Sequence, residues 1–181
     1  MVYKLLCEMG NRDNGRPWIR AAAAHAGLLG IWENEEDFSS CQPSSSVPLL
    51  HLHGLADPVV NVNGKQRGDA AFPDLASEIQ FTIRDSEWKS ANDSVDFVAD
   101  AICGSTAVTG SSEPKESTVC NEMCDGKVQY CLIDRLEHKY PGASCDLCGG
   151  CTDNNICDPD SENNIDATEY ITDFFVEMSS Q

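Results

Sequence analysis

Basic residues are scarce in this chain. Its 181 residues include 12 lysines and arginines against 30 aspartates and glutamates, which gives a formal net charge of −18 at pH 7. A surface of that sign repels the phosphate backbone of nucleic acids and the anionic headgroups of lipid bilayers. The composition therefore argues against both nucleic-acid and membrane partners.

Long apolar runs are missing as well. No stretch approaches the roughly 20 apolar residues that a membrane-spanning helix needs. The first residues, MVYKLLCE, lack the basic start, the sustained apolar run and the small-residue cleavage site of a secretory signal peptide. We expect neither a membrane span nor a signal peptide within these 181 residues.

Cysteine, in contrast, is abundant. The ten cysteines are even in number and dispersed, which favours a disulfide framework made in an oxidising compartment. A secreted composition without a secretion signal is explained if the protein continues upstream of Met1. We therefore expect an extracellular protein whose N-terminal part is missing from this sequence.

Two segments also fit metal-site templates. Cys145, Cys148, Cys151 and Cys157 have a spacing compatible with zinc or an iron–sulfur cluster, and the acidic residues from 158 to 169 fit the positions of a calcium loop. The other cysteines favour oxidation over metal binding, and Asn163 replaces the central glycine of the calcium template. We expect no metal and no other cofactor, and interpret 143–164 as a cysteine-rich acidic loop.

Hydrophobic periodicity predicts an order of helix, strand, strand, helix, strand and helix. Residues 19–26 are ambiguous, because propensity favours a helix whereas the short length suits a buried strand. Asp166 and Glu169 form a capping-box pattern at the last helix, with Ile165 and Tyr170 as a hydrophobic staple. Strands separated by helices imply a parallel sheet. The other elements are a helix at 2–9, a strand at 47–53, a helix at 87–103, a loop at 104–118, a strand at 127–134 and the final helix.

An aspartate and a histidine each follow a predicted strand. Asp57 comes after the strand at 47–53 and His138 after the strand at 127–134. Functional groups in parallel sheets lie just past the carboxyl ends of strands, and an acid followed by a histidine is the chain order of α/β-hydrolases. In that chemistry the histidine takes the proton of a serine, and the carboxylate orients the histidine. The alternative is that Asp57 only starts a turn and that His138 is merely one of four histidines. We interpret His51 and His53 as packing or loop-anchoring residues and His25 as structural.

Three stretches carry a family resemblance: LHLHGLADPVV at 50–60, EHKYPG at 137–142 and NIDATE at 164–169. With them the chain resembles the polyhydroxybutyrate depolymerase and feruloyl esterase group of secreted α/β-hydrolases, which includes acetyl xylan esterases. The resemblance implies that residues 1–181 are the C-terminal part of one catalytic domain with a mostly parallel sheet. It also implies that 19–26 is a strand, that Asp57 and His138 are the triad acid and base, and that the substrate is an ester, which can be polymeric.

The resemblance further implies that Cys7 pairs with Cys41. Cys103, at the end of a helix, and Cys124, before the next strand, are the second expected pair.

Two features depart from the family pattern. No Gly-x-Ser-x-Gly occurs, so the N-terminal strands, the nucleophile elbow and the oxyanion-hole amides are expected to lie outside this sequence. Leu136 and Glu137 stand where the family has two glycines, and Lys139 and Tyr140 where it has Thr-Trp. The alternative to a hydrolase is a naturally short, non-catalytic binding or interaction module held by disulfides.

Overall fold

The fold of the chain, seen in a computed structural model, is described for residues 2–9, 19–31, 41–43, 45–65, 87–142 and 165–180. Helices and strands follow one another in the order α1 Val2–Met9, β1 Ala22–His25, β2 Gly30–Ile31, β3 Leu49–Gly54, β4 Glu87–Trp88, α2 Ala91–Cys103, β5 Val108–Lys115, β6 Thr118–Met123, β7 Val128–Ile133 and α3 Ala167–Ser179.

A five-stranded mixed sheet with the order β1-β3-β7-β6-β5 organises the fold, which is of the general α/β class. β1 and β7 both run parallel to β3. β6 runs antiparallel to β7, and β5 antiparallel to β6. The expectation of a mostly parallel sheet is therefore not met in this five-stranded sheet, since two of its four pairings are antiparallel.

The antiparallel part comes from a segment that composition assigns to a loop. Residues 104–118 contain β5 and the first residue of β6, and Lys115 pairs with Thr118 across a short turn. Nearly every residue of β5 is exposed, so β5 owes its order to backbone pairing with β6 rather than to buried side chains. Its polar sequence therefore carries no strand signal.

Helices cover both faces of the sheet. α1 and α2 pack on one face, around residues such as Leu49, Val95 and Val128. α3 packs on the other face, with Phe174 and Met178 against Leu50 and Leu52 among others. All six residues of β3 are buried, as a parallel strand covered on both sides requires.

Local signals explain where the helices begin. The predicted helix at 87–103 starts only at Ala91, because Glu87–Trp88 forms β4 and the Ser90 hydroxyl caps the helix by accepting from the Asp93 amide. At α3 the carboxylate of Asp166 accepts hydrogen bonds from the amides of Thr168 and Glu169, as the capping pattern predicts. None of the described helices is long and apolar enough to cross a bilayer.

Three disulfides lie within the described residues. Cys7 joins Cys41, and Cys103 joins Cys124. These are the two pairs expected from the sequence. The third disulfide links Cys120 of β6 with Cys131, the residue directly opposite on β7, and was not anticipated. Cys145, Cys148, Cys151, Cys157 and the acidic calcium-loop template up to residue 164 lie outside the described residues.

Candidate active site

The turn after β3 carries Asp57 at the carboxyl end of the sheet. Neighbouring backbone holds the start of this turn: the Leu55 amide donates to the carbonyl of Ile133, and the Ala56 amide to that of Leu136. The turn is thereby fixed to the end of β7 and to the segment that follows it.

The carboxylate of Asp57 is buried and uses both of its oxygens. Its side chain has no solvent exposure. Oδ1 accepts hydrogen bonds from the amides of Val59 and Val60, each at 2.8 Å. Oδ2 lies 2.9 Å from Nδ1 of His138. Burial opposes the charge of Asp57, but the hydrogen bonds from His138, Val60 and Val59 outweigh burial and lower the pKa of the carboxyl.

His138 reaches Asp57 from the turn after β7. Arg135 adopts a positive φ of 55° at this turn, and Leu136 is buried beneath it. Gly54, the last residue of β3, lies so close that a Cβ there would collide with the carbonyl group of Leu136. The absence of a side chain at Gly54 therefore lets the two turns approach each other.

The contact between Asp57 and His138 joins residues 81 positions apart. A carboxylate only accepts, so Nδ1 of His138 carries the hydrogen of this bond and Nε2 is the nitrogen that remains for proton transfer. The His138 side chain is 44% exposed, in contrast to its buried partner. The hydrogen bond to Asp57 raises the pKa of His138 against the effect of its partial burial, and the negative charge of Asp57 adds to the rise.

His138 contacts Asp57 although the bulky residues Glu137 and Lys139 flank it. The sequence suggests that Glu137 raises the pKa of His138 if it lies close. Instead, the Glu137 carboxylate lies 3.5 Å from Nζ of Lys139, and Asp57 is the carboxylate that raises the pKa of His138. The ring of Tyr140 packs edge-on against His25, with centroids 5.4 Å apart.

The other three histidines lie close to the pair formed by Asp57 and His138, which we call the dyad. His25 ends β1, and its burial, followed by the charges of His138 and His53, lowers its pKa to about 4. His51 and His53 are fully buried in β3, and burial lowers the pKa of both. The sequence places His51 and His53 on one face of a strand, but their hydrogen-bond partners outside β3, Tyr3 of α1 and Val60 of the following turn, have no local sequence signal.

The geometry is suited to general-base chemistry, with a buried acid that orients the imidazole. A buried carboxylate that holds one imidazole nitrogen sets the tautomer and stabilises the imidazolium once the other nitrogen has taken a proton. Within the described residues no group of histidine, cysteine and carboxylate side chains is placed to hold a metal ion.

No protein-family model matches the chain, and no curated protein matches it.

Proposed function

We propose that this chain is part of a secreted serine carboxylic-ester hydrolase, in which Asp57 and His138 are the acid and the base. A serine outside residues 1–181 supplies the nucleophile, because the chain has no Gly-x-Ser-x-Gly. The ester belongs to a polyester or to a feruloylated or acetylated polysaccharide, as the family resemblance suggests.

The steps of the proposed reaction follow from the orientation of His138, whose Nδ1 bonds Asp57 and whose Nε2 remains for proton transfer. Nε2 of His138 takes the hydroxyl proton as the serine oxygen attacks the ester carbonyl carbon. The same nitrogen then gives the proton to the leaving alcohol, so that an acyl-enzyme remains. Water then takes the place of the alcohol: His138 takes a proton from water as the water oxygen attacks the acyl carbon. The same nitrogen returns that proton to the serine oxygen, so that the serine hydroxyl is regenerated and the acid product leaves. Asp57 keeps its charge throughout and stabilises the imidazolium.

One observation carries this proposal. The buried carboxylate of Asp57 holds Nδ1 of a partly exposed histidine at 2.9 Å, at the carboxyl ends of two adjacent parallel strands. A purely structural ion pair has no need of that asymmetry, whereas a base that meets a substrate must be accessible and its orienting acid must be fixed.

Covalent labelling tests the proposal. The protein encoded by the longest reading frame that contains the chain is treated with a fluorophosphonate, which reacts with activated serines. The labelled peptide is then identified by mass spectrometry. We expect label on a serine in a Gly-x-Ser-x-Gly outside residues 1–181, and loss of labelling in His138→Ala but not in the neighbouring control Lys139→Ala. The 181-residue chain alone should not be labelled and should not hydrolyse a p-nitrophenyl ester above buffer.

Two outcomes contradict the proposal. Label on a serine within residues 1–181 would place the nucleophile inside this chain. A reading frame that yields no labelled serine would favour the non-catalytic binding module.

A further inference from the structure

Two histidines occupy the middle of the sheet beside the candidate site. His51 and His53 of β3 have no solvent exposure, and their ring planes are almost parallel, with centroids 5.4 Å apart. A buried polar group without hydrogen-bond partners is strongly destabilising. The partners of these rings therefore decide what the two histidines do.

The hydrogen bonds of the two rings form a continuous chain. The hydroxyl of Tyr3 in α1 lies 2.7 Å from Nδ1 of His51. Nε2 of His51 lies 3.2 Å from Nδ1 of His53, and Nε2 of His53 lies 2.8 Å from the carbonyl oxygen of Val60. Each of the four ring nitrogens thus has one partner.

The far end of the chain fixes the direction of every proton in it. A carbonyl oxygen only accepts, so Nε2 of His53 carries its hydrogen and Nδ1 of neutral His53 is an acceptor. His51 must then donate from Nε2 and accept at Nδ1, where Tyr3 donates its hydroxyl. Burial lowers the pKa of both histidines and raises that of Tyr3, which keeps all three groups neutral.

Val60 connects this chain to the carboxylate of Asp57. Its carbonyl accepts from His53, while its amide donates to Oδ1 of Asp57 at 2.8 Å. The turn from Asp57 to Val60 is therefore held from inside the sheet as well as by its own carboxylate. Because the Asp57 side chain is shielded from solvent, water does not replace a bond lost when Val60 moves.

We infer that Tyr3, His51 and His53 are positioning residues, which form a proton-ordered chain that holds the turn of Asp57 so that its carboxylate faces His138. The chain ties the orientation of the acid to helix α1, which carries Tyr3. Its importance for ester hydrolysis rests on the proposed function; the positioning itself does not.

Imidazole nitrogen NMR on the ¹⁵N-labelled protein encoded by the longest reading frame that contains the chain tests the proton order. The chain has only four histidines, so the ring signals can be assigned by substitution. We expect His51 and His53 to be protonated at Nε2 and bare at Nδ1, without titration between about pH 5.5 and 8, where free histidine changes charge. An Nδ1–H form of either ring, or titration of either ring in that range, would overturn the inference.

Two substitutions at His53 test the positioning. His53→Phe removes the donor to Val60, and we expect it to lower the pKa of His138, because the carboxylate of Asp57 is no longer held towards the ring. His53→Gln keeps an amide donor near the position of Nε2, and we expect it to restore the wild-type pKa of His138. A folded His53→Phe with an unchanged His138 pKa would refute the positioning role, as would failure of His53→Gln to restore it.

If His53→Phe does not fold, His53→Gln and the tautomers of the wild-type chain still decide the question. Ester turnover enters none of these measurements, so failure of the inference is distinguishable from failure of the proposed hydrolase.

Discussion

At the scale of single residues, the candidate site depends on the carboxylate of Asp57, whose two oxygens bond different partners. Oδ1 of Asp57 holds its own turn through Val59 and Val60, and Oδ2 holds His138. The bonds of Oδ1 hold the carboxylate in place, and the bond of Oδ2 raises the pKa of the imidazole. An amide in place of the carboxylate keeps an acceptor oxygen but loses the negative charge.

Asp57→Asn is therefore expected to lower the pKa of His138, because both the charge-assisted hydrogen bond and the charge of Asp57 raise it. NMR titration of the His138 ring measures the change. Asp134→Asn is the matched control, since Asp134 is an exposed aspartate four residues from His138 and is paired with Arg135. Equal pKa values in Asp57→Asn and wild type would show that the contact does not set the basicity of His138.

The sequence indicates Asp57 and His138 as candidates but not their contact. Each follows a strand that its apolar pattern predicts. Their contact depends on β3 and β7 being neighbours in the sheet, although β4, α2, β5 and β6 lie between them in the chain. That adjacency is a property of the assembled sheet, so only the family resemblance implied it in advance.

At the scale of elements, the close approach of two turns depends on the end of β3. Gly54→Ala is expected to destabilise the protein by about 1–3 kcal/mol, as overpacking does, because its Cβ would collide with the Leu136 carbonyl group. It should also displace His138 and lower the pKa of the imidazole. Urea unfolding and NMR titration measure the two effects.

Gly27→Ala is the control, because a Cβ at Gly27 meets its nearest atom at an ordinary 3.8 Å. Its free energy of unfolding should stay within about 0.5 kcal/mol of wild type. If Gly54→Ala proves as stable as Gly27→Ala, the two turns are not packed as closely as described.

Elements with signals in their own side chains are predictable from the sequence, whereas an element held mainly by backbone pairing is not. α3 begins where Asp166 caps it, and β3 and β7 lie within one or two residues of their predicted bounds. β1 lies within 19–26 despite the helix propensity of its alanines, because pairing with β3 outweighs propensity. The polar β5 has no such signal of its own.

At the scale of the whole molecule, the buried histidines should make stability depend on pH. The unfolded chain protonates its histidines below about pH 6.5. Folding lowers the pKa of His25, His51 and His53, that of His25 to about 4. Their contribution to stability is therefore present above about pH 6.5 and is lost as the pH falls through the lowered pKa values, for His25 down to about 4, by up to about 1.4 kcal/mol per pH unit for each histidine.

His138 and Asp57 act in other windows. The raised pKa of His138 stabilises the fold at low pH, and this contribution is lost as the pH rises through that pKa. The lowered pKa of Asp57 stabilises it above the ordinary range of a carboxyl, and this contribution is lost as the pH falls through the lowered value. Protonation of the many surface acids relieves repulsion in a chain of charge −18, so a variant is needed to isolate the buried rings.

We expect the free energy of unfolding to fall further in wild type than in His25→Gln between pH 6.5 and 4. The two slopes against pH should differ by at most the contribution of one bound proton, about 1.4 kcal/mol per pH unit. Urea unfolding at a series of pH values measures the difference. Parallel stability profiles for wild type and His25→Gln would mean that His25 is not held neutral by the fold.

The most direct test of the acid–base pair is the turnover of p-nitrophenyl acetate. The assay uses the protein encoded by the longest reading frame that contains the chain. We predict that Asp57→Asn lowers kcat by roughly 10⁴-fold, because the imidazole loses its correct tautomer and the charge that stabilises its protonated form. The exposed-site control Asp134→Asn should stay within about twofold of wild type, since an exposed charge paired with Arg135 is largely screened by solvent and salt. An Asp57→Asn protein that retains wild-type kcat would contradict the assignment of Asp57 and His138 as the acid and base of an ester hydrolase.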